Sequence, residues 1–208
     1  MTGPIFLDFD GTLVDVADRH YQTYVNALST VGDYQPLPKH QFWKRKRTGE
    51  STVDLVPPGA PAKKVGEIWI EQVETKEALA YDSLFPTTTS VLETLEQMQR
   101  QVVLITNRSR PKNVHWELQH LGIDFYFDDF IVNKNPSTDK AELINRQYGD
   151  DLNDAVIVGD SGSDIDAGKV VGITTVGTTT GIRTRRLLKQ HDPDQLIEAI
   201  GELLSIIP

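Results

Sequence analysis

The sequence predicts an α/β chain, a doubly wound parallel sheet with an all-helical insertion after its first strand. Three observations carry this. The runs Ile5-Phe6-Leu7, Val102-Val103-Leu104-Ile105 and Val156-Ile157-Val158 are apolar at every position, as strands buried on both faces are. Helical periodicity fills the intervals between them, and alternating strand and helix implies right-handed crossovers between parallel neighbours. Between Val16 and Phe85 the alternation stops, and no strand of comparable quality appears.

Taken in order, the first strand spans 5–7 and delivers Asp8. A helix follows over 17–31, with Tyr21, Tyr24, Val25 and Leu28 at helical spacing. A proline-rich passage (Pro36, Pro38, Pro57, Pro58, Pro61) leads to a long helical pattern over 62–84, and the chain returns to the sheet near Pro86. Helices are then expected over 89–100, 112–121, 140–148, 164–170 and 195–204. Between them come strands over 102–105 and 156–158, a fourth over 173–176 and a weaker fifth over 130–132. The domain expectation is therefore a core of residues 1–15 and 86–208, with residues 16–85 inserted as a small helical domain.

Composition narrows the function. With 208 residues the chain allows one domain, or a main domain with an insertion. Its 21 Lys and Arg against 30 Asp and Glu leave a net charge of −9, which argues against nucleic-acid binding. The absence of cysteine removes disulfides, thiolate nucleophiles and Cys-ligated zinc. No stretch approaches the ~18–20 apolar residues of a membrane span, and Met1-Thr2-Gly3-Pro4 enters the first strand with no signal-like segment. The expectation is a cytoplasmic protein, monomer or homodimer, with no membrane partner. The glycosylation match Asn107-Arg108-Ser109 is read as chance, and Asp150-Asp151 as a turn.

In open α/β sheets, ligands bind beyond the carboxyl ends of the strands. Those ends here carry Asp8 and Asp10, spaced to project one way from extended chain. They also carry Thr106 and Asn107, and Asp160 with Asp164 four residues later at a helix start. Four converging carboxylates repel one another unless a cation sits among them, and an all-oxygen set points to a hard cation, Mg²⁺ first. Phosphoryl transfer uses such a site. One carboxylate attacks phosphorus, the metal neutralises the equatorial oxygens, and the second carboxyl moves protons.

The segment Asp8-Phe9-Asp10-Gly11-Thr12-Leu13-Val14-Asp15 resembles the first motif of the haloacid dehalogenase-like superfamily. Thr106-Asn107 resembles its second motif, and Val158-Gly159-Asp160-Ser161-Gly162-Ser163-Asp164 its fourth. The resemblance spans the core in order and implies a Rossmann-like fold with a helical cap after the first motif. It implies Asp8 as nucleophile and Asp10 as general acid/base. It also implies Mg²⁺ held by Asp8, the Asp10 carbonyl and Asp160, with Asp164 ligating directly or through water. Thr106 and the Asn107 backbone would hold phosphate oxygens. The motif lysine is either Lys140, in Thr138-Asp139-Lys140-Ala141-Glu142, or Lys134, before Asn135-Pro136. Lys140 is preferred, because it resembles the pattern of phosphoglycolate-phosphatase-like members.

The implied activity is a magnesium-dependent phosphatase acting on a small phosphorylated metabolite. Asp10 favours phosphate esters over carbon–halogen or carbon–phosphorus bonds. The alternatives are a β-phosphoglucomutase-like mutase, cued by His20 in Asp15-Val16-Ala17-Asp18-Arg19-His20, and a non-catalytic phospho-ligand binder. Within the insertion, Lys44-Arg45-Lys46-Arg47 is the most basic run, and Arg47, beside the Thr48-Gly49 turn, is its candidate substrate contact. Arg183, Arg185 and Arg186 read as a surface helix. His115 and His120, five apart, make no metal pair.

Overall fold

The computed structural model describes residues 3–135, 138–149 and 152–207. The turn expected at Asp150-Asp151 and the Pro136 of the Lys134 alternative lie outside the described residues.

Six strands form one sheet in the order β5-β4-β1-β6-β7-β8, every pairing parallel. They are β1 (Ile5–Leu7), β4 (Val102–Thr106), β5 (Asp129–Val132), β6 (Val156–Gly159), β7 (Thr174–Thr178) and β8 (Gln195–Ile197). The strand order turns back at β1. From there β4 and β5 run to one side, and β6, β7 and β8 to the other. Every residue of β1, β4 and β6 is buried, which is why these segments lack polar alternation.

The crossover helices are α5 (Thr88–Gln97), α6 (Pro111–Leu121), α7 (Lys140–Tyr148) and α8 (Gly162–Val171), with the short α9 (Arg185–Leu188) preceding β8. On one sheet face Phe6, Val103, Ile105 and Ile157 pack against Ala141, Leu143 and Ile144 of α7 and Ala167 of α8. Local signals set both ends of α6. Pro111 opens α6 at a position that needs no N–H, and Gly122 closes it in the left-handed conformation.

A two-stranded ribbon of β2 (Val14–Asp15) and β3 (Ser83–Leu84) carries the chain out of the core and back. The described chain accordingly divides into two compact units, one of residues up to Asp15 and from Ser83 on, the other Val16–Asp82. The second unit contains α1 (Ala17–Val31), α2 (Lys39–Arg47), α3 (Ala62–Gln72) and α4 (Lys76–Leu79). Its interior is Tyr24, Leu28, Phe42, Leu55, Val65 and Ile68. Tyr24 stacks on Phe42 at 4.7 Å and donates its hydroxyl to the Leu55 carbonyl at 3.0 Å.

Two expected elements differ. The helix expected over 195–204 is the edge strand β8 followed by a 3₁₀ stretch, Ile200–Ser205. Pairing with the open edge of β7 outweighs a helical pattern that Gly201 already weakens. The helix expected over 62–84 is broken after α3, because Thr75 turns extended and accepts the Ala78 N–H at 3.3 Å, starting α4 as a new helix. Its last residues are β3 instead.

Candidate active site

Three strand ends deliver the site. The Asp8 N–H donates to the Val158 carbonyl at 2.9 Å, continuing the β1–β6 ladder one residue past β1. The chain then turns at once, with Leu13 N–H on the Phe9 carbonyl at 3.0 Å and Gly11 N–H on the Val14 carbonyl at 2.9 Å. Gly11 has φ +74°, and a Cβ there would collide with the Asp160 carboxylate. Only glycine allows both that backbone and that approach.

Asp8, Asp160 and Asp164 are all buried, and each offers an oxygen within 4.8 Å of the others. Lys140 is the buried cation among them. Its ammonium donates to Asp8 Oδ1 at 2.6 Å, to the Ile105 carbonyl at 3.1 Å and to Asp164 Oδ1. The local sequence explains its place. Asp139 caps α7 by accepting the Glu142 N–H at 2.8 Å, which makes Lys140 the first helical residue. A cation there opposes the helix dipole, and the carboxylates offset that cost. Lys134 is exposed.

Asp164 is held by its own helix start. Its Oδ2 accepts the Ser161 N–H at 3.1 Å and the Ser161 hydroxyl at 2.7 Å in a capping box. Asp160 accepts the Ile182 N–H, and Gly181 lies so close that a Cβ would overlap the carboxylate. Thr180 ties this loop to the first motif through the Gly11 carbonyl at 2.7 Å. Thr106 ends β4, buried, and its hydroxyl accepts the Arg108 N–H at 3.3 Å. The Asn107 side chain accepts from Asn133 at 3.0 Å.

One ammonium against three buried carboxylates leaves excess negative charge. Burial lifts Asp8 to about 7 despite the pull of Lys140. Burial, with Asp8 and Asp164 nearby, lifts Asp160 well above the ordinary carboxylate range. Lys140 is raised: burial opposes its charge, but Asp164 and Asp8 outweigh it. A hard divalent cation fits such a donor set, all oxygen and short of positive charge.

Sequence reasoning missed Arg108. Its guanidinium donates through Nε to Asp10 Oδ2 at 2.9 Å and through Nη2 to Asp10 Oδ1, while Nη1 donates to Glu117. Glu117 itself was a legible signal. It falls among Val114, Leu118 and Leu121 on the apolar stripe of α6, where a carboxylate needs a buried cation.

The residues of the second unit are described within it. Arg47 ends α2 and is half-buried. Arg45 forks onto Glu50 and Lys46 donates to the Thr52 hydroxyl at 3.2 Å under Trp69, so two of the four cations serve their own unit. The His20 ring meets Trp43 and Trp69 edge-on at 5.8 and 5.2 Å.

The chain has relatives along most of its length. The chain is 29% identical over 217 residues to pyrophosphatase PpaX of Bacillus velezensis, covering 97% of this chain and 94% of that protein. It is 28% identical over 231 residues to phosphoglycolate phosphatase of Escherichia coli, covering 98% and 91%. A solved haloacid dehalogenase-like family hydrolase from Streptococcus pneumoniae superposes with a TM-score of 0.79 at 20% identity, covering 100% of this chain and 99% of that one. Residues 5–172 match the haloacid dehalogenase-like hydrolase family, so the chain belongs to that family and is an enzyme of the hydrolase class.

Proposed function

We propose that this hydrolase removes the phosphoryl group of a small phosphorylated metabolite by way of an aspartyl-phosphate on Asp8. The observation that carries the reading is the Lys140 ammonium bridging the buried Asp8 and Asp164 carboxylates beside Asp160.

In this reading Asp8 Oδ2, which accepts the Thr12 hydroxyl at 3.4 Å and is not held by Lys140, attacks phosphorus. An Asp8 oxygen–phosphorus bond forms as the bond to the leaving oxygen breaks, and Asp10 gives that oxygen a proton. Asp10 then takes a proton from water, whose oxygen displaces Asp8 and releases inorganic phosphate. Lys140 holds the nucleophile's other oxygen, so one face of the carboxylate is presented to substrate. Thr106 and the Asn107 backbone hold phosphoryl oxygens. Mg²⁺ would be held by Asp8, the Asp10 carbonyl and Asp160, with Asp164 directly or through water, and would neutralise charge on the transferred group. Residues 16–85 act as the cap, and Arg47 as its contact to an anionic group of the substrate.

The relatives' names order the substrates to try, 2-phosphoglycolate and inorganic pyrophosphate ahead of other phosphorylated metabolites. Turnover with Mg²⁺, read as phosphate release, tests the reading, and Asp8→Asn should abolish it while the fold persists. Retention of more than a few per cent of activity by Asp8→Asn would sink the nucleophile assignment. Isomerised sugar phosphate without phosphate release would replace hydrolysis by the mutase reaction.

A further inference from the structure

Asp10 is not left to find its own orientation. Arg108 meets it side-on through Nε and Nη2, so both carboxylate oxygens are engaged by one planar group. The guanidinium is itself fixed from other directions. Glu117 takes Nη1 and also lies 3.4 Å from Nη2, and the ring of Phe9 lies 4.9 Å beneath the guanidinium carbon. The Arg108 backbone N–H donates to the Thr106 hydroxyl, so the same residue links the second-motif strand end to Asp10.

Exposure decides what this arrangement can do. The Arg108 side chain is 4% exposed and that of Glu117 0%, whereas that of Asp10 is 32% exposed. A cation meant to catch a second anionic group of the substrate would be open to solvent. This one is buried and shares its charge between two carboxylates. Asp10 alone reaches outward. A forked contact of this kind fixes the plane of a carboxylate as well as its position. A lysine in the same place would supply charge without that fork.

We propose that Arg108, locked by Glu117, is a positioning residue that holds the Asp10 carboxylate in register for proton transfer to the leaving group. The proposal rests on the acid/base role of Asp10 given under Proposed function. Neither Arg108 nor Glu117 touches substrate in it.

The test compares Arg108→Lys and Glu117→Gln with the wild-type enzyme on p-nitrophenyl phosphate and on an alkyl phosphate. The aryl leaving group needs little protonation; the alkoxide needs it fully. A misplaced catalytic group costs on the order of 100-fold, and general acid catalysis supplies roughly 100- to 10,000-fold. Arg108→Lys should therefore lower kcat about 10- to 100-fold on the alkyl phosphate and no more than about 3-fold on the aryl one, with KM little changed. Glu117→Gln, which keeps the guanidinium and the shape, should move kcat in the same direction by less. Equal losses on both substrates would make the cluster a structural scaffold and overturn the proposal. A raised KM with kcat intact would make Arg108 a substrate contact and overturn it equally. A wild-type enzyme inert toward every phosphate compound would instead overturn the phosphatase reading, and this proposal with it. A wild-type enzyme that is active while both variants match it would overturn this proposal alone.

Discussion

Replacing Lys140 by methionine keeps the stem and removes the charge. In the folded protein the ammonium stands 2.6 Å from Asp8 Oδ1 and also on Asp164, with all three side chains almost out of water. Removing one partner of a buried ion pair costs roughly 3–5 kcal/mol, because the remaining charge has no compensation. For a chain of this length each kcal/mol is about 2–4 °C in Tm. Lys140→Met should therefore melt about 6–20 °C below the wild-type protein in chelator near pH 8.

The pH dependence gives the sign. Asp8 sits at about 7 against an ordinary 3.8, burial raising it while Lys140 lowers it. A carboxyl whose folded value lies above its unfolded one contributes stability that is full below the unfolded value and lost as pH rises through the folded value. Without Lys140 the folded value climbs further, so the variant's deficit should be largest near pH 8 and shrink near pH 5.5, where Asp8 carries a proton. Circular-dichroism melts at the two pH values measure this, and saturating Mg²⁺ should return part of the loss. A variant that melts within about 2 °C of wild type, or shows the same deficit at both pH values, would refute the reasoning.

Three further outcomes are expected. Asp160→Asn should weaken Mg²⁺ binding measured by titration calorimetry, and Ca²⁺ should inhibit by occupying both Asp8 oxygens, since it accepts six to eight ligands; full activity after exhaustive chelation would refute the metal assignment. Arg47→Ala should raise KM for a substrate with a second anionic group, with less effect on p-nitrophenyl phosphate, and should flatten the salt dependence of kcat/KM; unchanged values would leave the run as a solvated helix face.

The core was legible because its signal is burial on both faces. β1, β4 and β6 are buried throughout and apolar up to Thr106 and Gly159, the pattern of strands covered on both faces. The last residues of the sheet were not legible for the complementary reason. β8 is an edge strand, half-exposed, and its assignment depends on the open side of β7, whose register partners, such as Val176 for Gln195, lie 19 residues away in sequence. The break between α3 and α4 is a capping event at Thr75, and a threonine inside a long amphipathic pattern carries either reading until its backbone is seen.

The site divides along the same line. Asp8, Asp160 and Lys140 stand at element ends, where a sequence shows them as polar residues abutting apolar runs or as a helix-start pattern. Arg108 and Glu117 form no such local pattern, because each makes sense only through the other and they are 9 residues apart on a loop and a helix. Glu117 on an apolar stripe requires a partner, but periodicity does not say which of the chain's cations supplies it. Arg108 lies two residues beyond Thr106, where a helix-facing or a solvent-facing side chain would read the same. The fold decides by setting the end of β1 beside the end of β4, where the Nε–Nη2 edge of the guanidinium meets Asp10. A buried charge pair therefore ties a carboxylate that follows β1 to the loop that follows β4.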